Sequence, residues 1–137
     1  MGSPQLVKLL LDTHIWIWSF LEPEKIGSRV RRALEDPAIE KWLSPISIWE
    51  LLILVEKGRV ELDMDAEEWV AQALATFPPK EAPITTEVVL SMCKIRLPHR
   101  DPADAFLVAT AKVFELTLVT ADARLLAIKG ISSLSNH

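Results

Sequence analysis

Leu6-Val7-Lys8-Leu9-Leu10-Leu11-Asp12-Thr13 sets an apolar run of strand length directly against an aspartate. From His14 to Leu21 the spacing of apolar residues turns helical, so the segment reads as a buried strand that hands the chain to a helix. Further along, the same alternation recurs. Pro23 breaks the first helix, and a second covers Lys25 to Glu35 before Asp36-Pro37 ends it. Lys41-Trp-Leu-Ser44 is a second strand, followed by a helix from Pro45 to Lys57 with Gly58 at a left-handed cap position. Asp65 or Met64 opens another helix through Phe77, and Ala82-Pro-Ile84 forms a short strand. Thr85 or Thr86 caps the helix that Pro98 ends, and Asp101-Pro102 starts the one running from Ala103 to Glu115. Leu116-Thr-Leu-Val119 is the next strand, then a short helix from Ala123 to Lys129 closed by Gly130, and a last edge strand at Ile131 to Leu134. Strands alternating with helices predict an α/β fold with a parallel sheet covered on both faces.

The composition sets limits on function. At 137 residues, with 50% hydrophobic and 25% charged residues, the chain is expected to form one domain over residues 1–137. Residues 1–4 are read as disordered or as a cloning remnant. The lone cysteine, Cys93, excludes an internal disulfide and a cysteine metal cluster. It is expected to be a small buried hydrophobe in a protein of the reducing cytoplasm. No apolar run is long enough to span a bilayer, so no membrane partner is expected. A net charge of −4 argues against holding nucleic acid by bulk positive charge. Contacts to it must be local, through Lys25, Arg29, Arg31 and Arg32 or through Lys94, Arg96, His99 and Arg100, each group otherwise an ordinary solvated surface.

Four carboxylates draw attention. Asp12 and Asp122 each follow an apolar strand, and in open parallel sheets the carboxyl ends of strands border the ligand crevice. A helix N-cap is the competing role for both. Glu50 interrupts the apolar helix Ile46 to Val55, where an unpartnered carboxylate is costly to bury. Its same-face neighbours Ile46, Ser47, Ile53 and Leu54 carry no positive charge, so an ion pair would have to come from elsewhere. Asp104 shares a helix face with Leu107, Val108 and Ala111 and points inward, whereas Asp101 is the cap or an outer support. No lysine or arginine adjoins these motifs to neutralise the acids. Such a cluster repels itself, and a divalent cation bound through oxygen is the direct remedy. All-oxygen ligation favours Mg²⁺ or Mn²⁺ over zinc. A metal held this way activates water and neutralises a phosphate, which points to phosphodiester hydrolysis. Thr13 and Thr120 flank the strand-end aspartates and are candidates to hydrogen-bond a carboxylate or a phosphate. Among the five tryptophans, Trp49 and Trp16 are placed on core-facing helix positions, so core or dimer packing is preferred to base stacking.

The segments Leu10-Leu-Asp12-Thr-His-Ile-Trp, Ser44-Pro-Ile-Ser-Ile-Trp-Glu50, His99-Arg-Asp-Pro-Ala-Asp104-Ala-Phe-Leu-Val-Ala-Thr-Ala and Leu118-Val-Thr-Ala-Asp122 together resemble the PIN domain, and more closely its VapC-type toxin branch. The resemblance implies a three-layer α/β/α sandwich with strand order 3-2-1-4-5, a homodimer, and a Mg²⁺- or Mn²⁺-dependent ribonuclease restrained by an antitoxin whose tail blocks the acidic groove. It also implies acidic site positions at Asp12, Glu50, Asp104 and Asp122, with Thr120 and Ser44 as common auxiliaries. The chain departs from the family at Ala105, where close relatives of the Asp-Pro-x-Asp form often carry arginine. A catalytically idle RNA- or protein-binding domain, a phosphate-accepting signalling domain and a hydrolase of small phosphate esters are the competing functions. For the signalling domain, Lys129 falls too late, behind a helix, to serve as its lysine.

Overall fold

A computed structural model describes residues 7–97 and 101–137. The strand residue Leu6, the helix-ending Pro98, and His99 and Arg100 of the second basic group lie outside the described residues, as do residues 1–4. The elements run β1 (Lys8–Leu11), α1 (Thr13–Leu21), a 3₁₀ turn (Pro23–Lys25), α2 (Ser28–Glu35), β2 (Glu40–Leu43), α3 (Pro45–Glu56) and α4 (Ala66–Thr76). After these come β3 (Lys80–Glu81), α5 (Thr86–Met92), α6 (Pro102–Phe114), β4 (Thr117–Thr120), α7 (Ala123–Leu126) and β5 (Ser132–Ser135). All five strands are parallel, in the order β3-β2-β1-β4-β5 expected from the resemblance.

The period of two in β1 explains the layering. Leu9 and Leu11 face one side and pack with Ile15, Trp16, Val30, Leu51, Trp69 and Val119. Leu10 faces the other and packs with Leu107, Val108, Leu118 and Leu125. A strand buried on both faces must be apolar at every position, and Leu9, Leu10 and Leu118 are all at most 1% exposed. On the first face an aromatic cluster closes the layer, with Trp16 and Phe20 each edge-on to Trp69 at centroid distances of 5.6 Å.

Several boundaries differ from the sequence expectation. The third strand is Lys80–Glu81, not Ala82 to Ile84: the Ala82 N–H still bonds the Leu43 carbonyl at 2.9 Å, but Pro83 has no N–H to carry the ladder on. The helix expected from Lys25 begins only at Ser28, after the 3₁₀ turn that Pro23 initiates. The next helix, α5, stops at Met92, well before Pro98, and Cys93 at its end is exposed rather than buried, because Val88 alone anchors this helix in the core. The short helix α7 ends at Leu126 and does not reach Lys129. Trp49 is not core-facing but 52% exposed. The buried residues of α3 are Ser47 and Leu51, one turn apart, and Trp49 falls midway between them on the opposite side.

Beyond β5 the chain clasps the turn before α2. The Asn136 side chain donates from Nδ2 to the Lys25 carbonyl (2.9 Å) and accepts from the Gly27 N–H at Oδ1 (2.7 Å). A Cβ on Gly27 would lie 1.7 Å from the His137 carbonyl oxygen, so only glycine lets the two backbones meet. Gly27→Ala is expected to release this clasp and cost about 1 to 2 kcal/mol, the worth of two lost hydrogen bonds. Asn136→Ala should cost a similar amount and the double variant no more than either alone in urea denaturation. Full additivity would refute the clasp.

Candidate active site

In the order β3-β2-β1-β4-β5 the chain moves outward in opposite directions from β1 and β4, so the crevice at their carboxyl ends is the topological switch point. Both strand-end aspartates stand there. The pairing Leu11↔Val119, continued by the Asp12 N–H donating to the Val119 carbonyl (3.0 Å), sets Asp12 beside Thr120. The fully buried Thr120 hydroxyl donates to Asp12 Oδ2 (2.7 Å) and accepts from the Asp122 N–H (3.0 Å), joining the two acid-bearing ends of the crevice.

Asp12 precedes α1 in the cap position but makes no side-chain cap bond, so its carboxylate is directed to Thr120 instead. Burial pushes its carboxyl above the ordinary range. The Thr120 hydrogen bond and the charge of His14 act against that, and Asp122 adds to it. From α1, the buried Thr13 hydroxyl donates to Glu50 Oε1 and lies 2.9 Å from the buried Ser47 hydroxyl. One proton cannot serve both contacts, so when Glu50 is ionised the Ser47 hydroxyl donates to Thr13. Glu50, half-buried on α3, is raised to about 7, first by burial and then by repulsion from Asp12, Asp101 and Asp104, against the Thr13 hydrogen bond.

Asp101 caps α6, its Oδ1 accepting from the N–H groups of Ala103 (3.0 Å) and Asp104 (3.4 Å). That cap places Asp104 in the first helical turn, 8% exposed and turned inward as its face predicted. Asp122 takes the cap role weighed for it, accepting from the Arg124 N–H (2.8 Å). It also receives the Arg124 guanidinium at Nε (3.2 Å) and Nη2 (2.9 Å). This corrects the expectation that no arginine adjoins the acids, since the α7 turn folds Arg124 back onto a residue only two positions away. Ser44 is fully buried and caps α3 through the Ile46 N–H (3.1 Å).

Asp12, Glu50, Asp101, Asp104 and Asp122 thus share one electrostatic neighbourhood, assembled from two strand ends and two helices. Among the described residues no three His, Cys, Asp or Glu side chains already form a metal cage. The donor set is nonetheless hard oxygen, and two of its members carry carboxyls that burial and mutual repulsion hold up, a cost that a divalent cation would offset. Sequence reasoning missed Ser47, whose signal is a lone hydroxyl one turn before Glu50 in an apolar helix, and Arg124.

Two expectations follow from this wiring. Thr120→Val keeps the shape but removes the group that serves Asp12 and the Asp122 N–H, and should cost about 2 kcal/mol in urea denaturation with EDTA present; Thr120→Ser should restore most of it. Glu50 ionises near 4.5 in the unfolded chain and near 7 in the folded one. Between those values the native state holds a proton the unfolded state has lost, so stability falls as pH rises through the window and stays lower above it. Relative to Glu50→Gln, the parent should lose about 1 to 2 kcal/mol from pH 4.5 to pH 8, allowing for solvent screening of a half-exposed group. A constant difference across those pH values would reject the assignment.

Comparison with known proteins bears on the family and the fold. The sequence profile of the PIN domain matches residues 9–131. Ribonuclease VapC22 of Mycobacterium tuberculosis is 32% identical over 123 residues, covering 88% of this chain and 91% of the relative. In three dimensions the chain resembles the DNA-bound VapBC of Salmonella typhimurium, with a TM-score of 0.70, 19% identity, and coverage of 94% of this chain and 98% of that one. It also resembles a toxin–antitoxin complex from Klebsiella pneumoniae, with a TM-score of 0.65, 24% identity and the same coverage. With a profile spanning nearly its whole length and a relative of this identity, the chain belongs to the PIN domain family, in its VapC-type branch.

Proposed function

We propose that the chain is a divalent-metal-dependent endoribonuclease, the toxin of a type II toxin–antitoxin pair acting in the cytoplasm. The observation that carries this reading is the wiring of the crevice: Asp12 held by Thr120, and Glu50 held by Thr13, which Ser47 backs in turn. Side chains so restrained are built to hold a ligand in one geometry. The names of the relatives support RNA as the substrate and an antitoxin as the partner.

Asp12, Glu50, Asp104 and Asp122 are the proposed ligands of Mg²⁺ or Mn²⁺, which when bound supplies a water of lowered pKa and charge neutralisation at the phosphate. Thr120 restrains the Asp12 carboxylate and Thr13 that of Glu50, Asp101 caps the α6 terminus that carries Asp104, and Arg124 holds Asp122. A divalent cation bound there would compete with the proton that Glu50 otherwise keeps up to about pH 7. A groove of about 570 Å³ bordered by Trp16, Phe20 and Phe77 supports a protein partner, and the exposed Trp49, Leu52 and Leu90 support a homodimer. Among the described residues no helix is long and apolar enough to cross a membrane.

The Asp122–Arg124 pair gives some support to an idle binding domain, and cleavage assays separate the readings. Purified protein with Mn²⁺ should cut RNA, EDTA should stop it, and Asp12→Asn or Asp104→Asn should lower the rate at least about 100-fold with an unchanged circular dichroism spectrum. Full cleavage by either variant, or cleavage that survives chelation, would reject the proposal.

A further inference from the structure

Beside the acidic crevice lies a second cavity of about 380 Å³ whose walls carry the opposite charge. Lys94 and Arg96 reach it from the segment after α5, Lys112 from α6, Arg124 from α7 and Lys129 from the turn beyond, and among the described residues no acidic side chain lines it. In a chain of net charge −4 with fifteen Lys and Arg in all, five cations around one hollow are a pronounced local reversal. Two of them, Lys94 and Arg96, belong to a basic group visible in the sequence, and folding adds the other three. The alternative group is partly engaged elsewhere: Arg31 donates to the Pro23 carbonyl, and Lys25 pairs with Glu22 and lies over Trp18.

Arg124 belongs to both places. Arg124 lines the cationic cavity, its guanidinium binds Asp122, and it is also within electrostatic reach of Asp104 and Asp101. A polyanion lying across the acidic crevice would therefore meet the cations next. One wall of the cavity is apolar, with Ile95, Val108, Ile128 and Ile131, which suits the sugar or face of an unstacked base.

Resting on the ribonuclease reading above, we infer that this cavity binds the phosphodiester backbone of single-stranded RNA on one side of the cleaved bond. Lys94, Lys112 and Lys129 are exposed, so they are free to meet phosphates and can be replaced without disturbing the core. The net negative charge of the chain makes such a local track necessary, because nothing in the far field draws RNA in.

The test is fluorescence anisotropy of a labelled 12-nucleotide single-stranded RNA in EDTA over a series of NaCl concentrations, for the parent and for the triple variant Lys94→Ala, Lys112→Ala, Lys129→Ala, each checked by thermal melting. Affinity should fall at least about tenfold at low salt, and the slope of log K against log salt should shrink by about 2, near 0.7 for each phosphate contact removed. In cleavage with Mn²⁺ the loss should appear in KM rather than kcat. Unchanged affinity and slope would overturn the assignment, as would an unchanged RNA affinity accompanied by loss of an acidic protein partner. A parent that binds the 12-mer with the expected salt slope yet cuts nothing would count against the ribonuclease reading alone and leave the cavity assigned.

Discussion

Asp12 must leave water where β1 meets the helix that follows, and the rest of the crevice is arranged around that requirement. A carboxylate placed there is stable only if something donates to it. The donor is the Thr120 hydroxyl on the neighbouring strand, and it is in reach only because Leu11 pairs with Val119. A one-residue slip of β4 would turn Thr120 to the other face of the sheet and leave the acid without its partner. Strand register and site geometry are therefore one constraint, and the apolar run that buries β1 also delivers the acid to the switch point.

The protein keeps several negative charges together and satisfies them only in part. Thr13, backed by Ser47, donates to Glu50 and Thr120 donates to Asp12, while Arg124 supplies a guanidinium to Asp122. Ala105 contributes no cation from α6, and Arg124 stands at Asp122 from a different helix. Burial first, and repulsion from Asp12, Asp101 and Asp104 after it, raise the Glu50 carboxyl to about 7. Local rules of burial are broken at this crevice and obeyed elsewhere, which is the usual mark of a site kept for chemistry.

The placement of α7 gives the crevice its polarity. Asp122 caps this short helix and turns Arg124 outward and back, so that one residue closes the acidic pocket and also lines the cationic hollow beside it. Negative charge for a cation and positive charge for a phosphate backbone thus lie next to one another on a protein that is acidic overall. Segregating the two signs within one crevice lets a polyanion be held locally without a basic surface at large.

The alternation of apolar runs and helical patterns, with Asp12 and Asp122 after strands, Glu50 in an apolar helix and Asp104 on an inward face, follows from short-range periodicity. The parallel α/β class was accordingly legible in the chain itself, and so were the carboxylates proposed for the site. Strand order came only with the family resemblance. What local patterning could not reach was decided by neighbours far apart in sequence. Trp49 is turned outward because the turn centred on Ser47 and Leu51 won the core, and the third strand stops where Pro83 has no N–H to offer β2. The Ser47 hydroxyl joins Glu50 only through Thr13, 34 residues away, and Lys112 and Lys129 join Lys94 only where α6 and the turn after α7 border one cavity. Periodicity along a chain records which side of an element avoids water. Which hydroxyl meets which carboxylate depends on the packing of separate elements, and the tertiary structure alone fixes that.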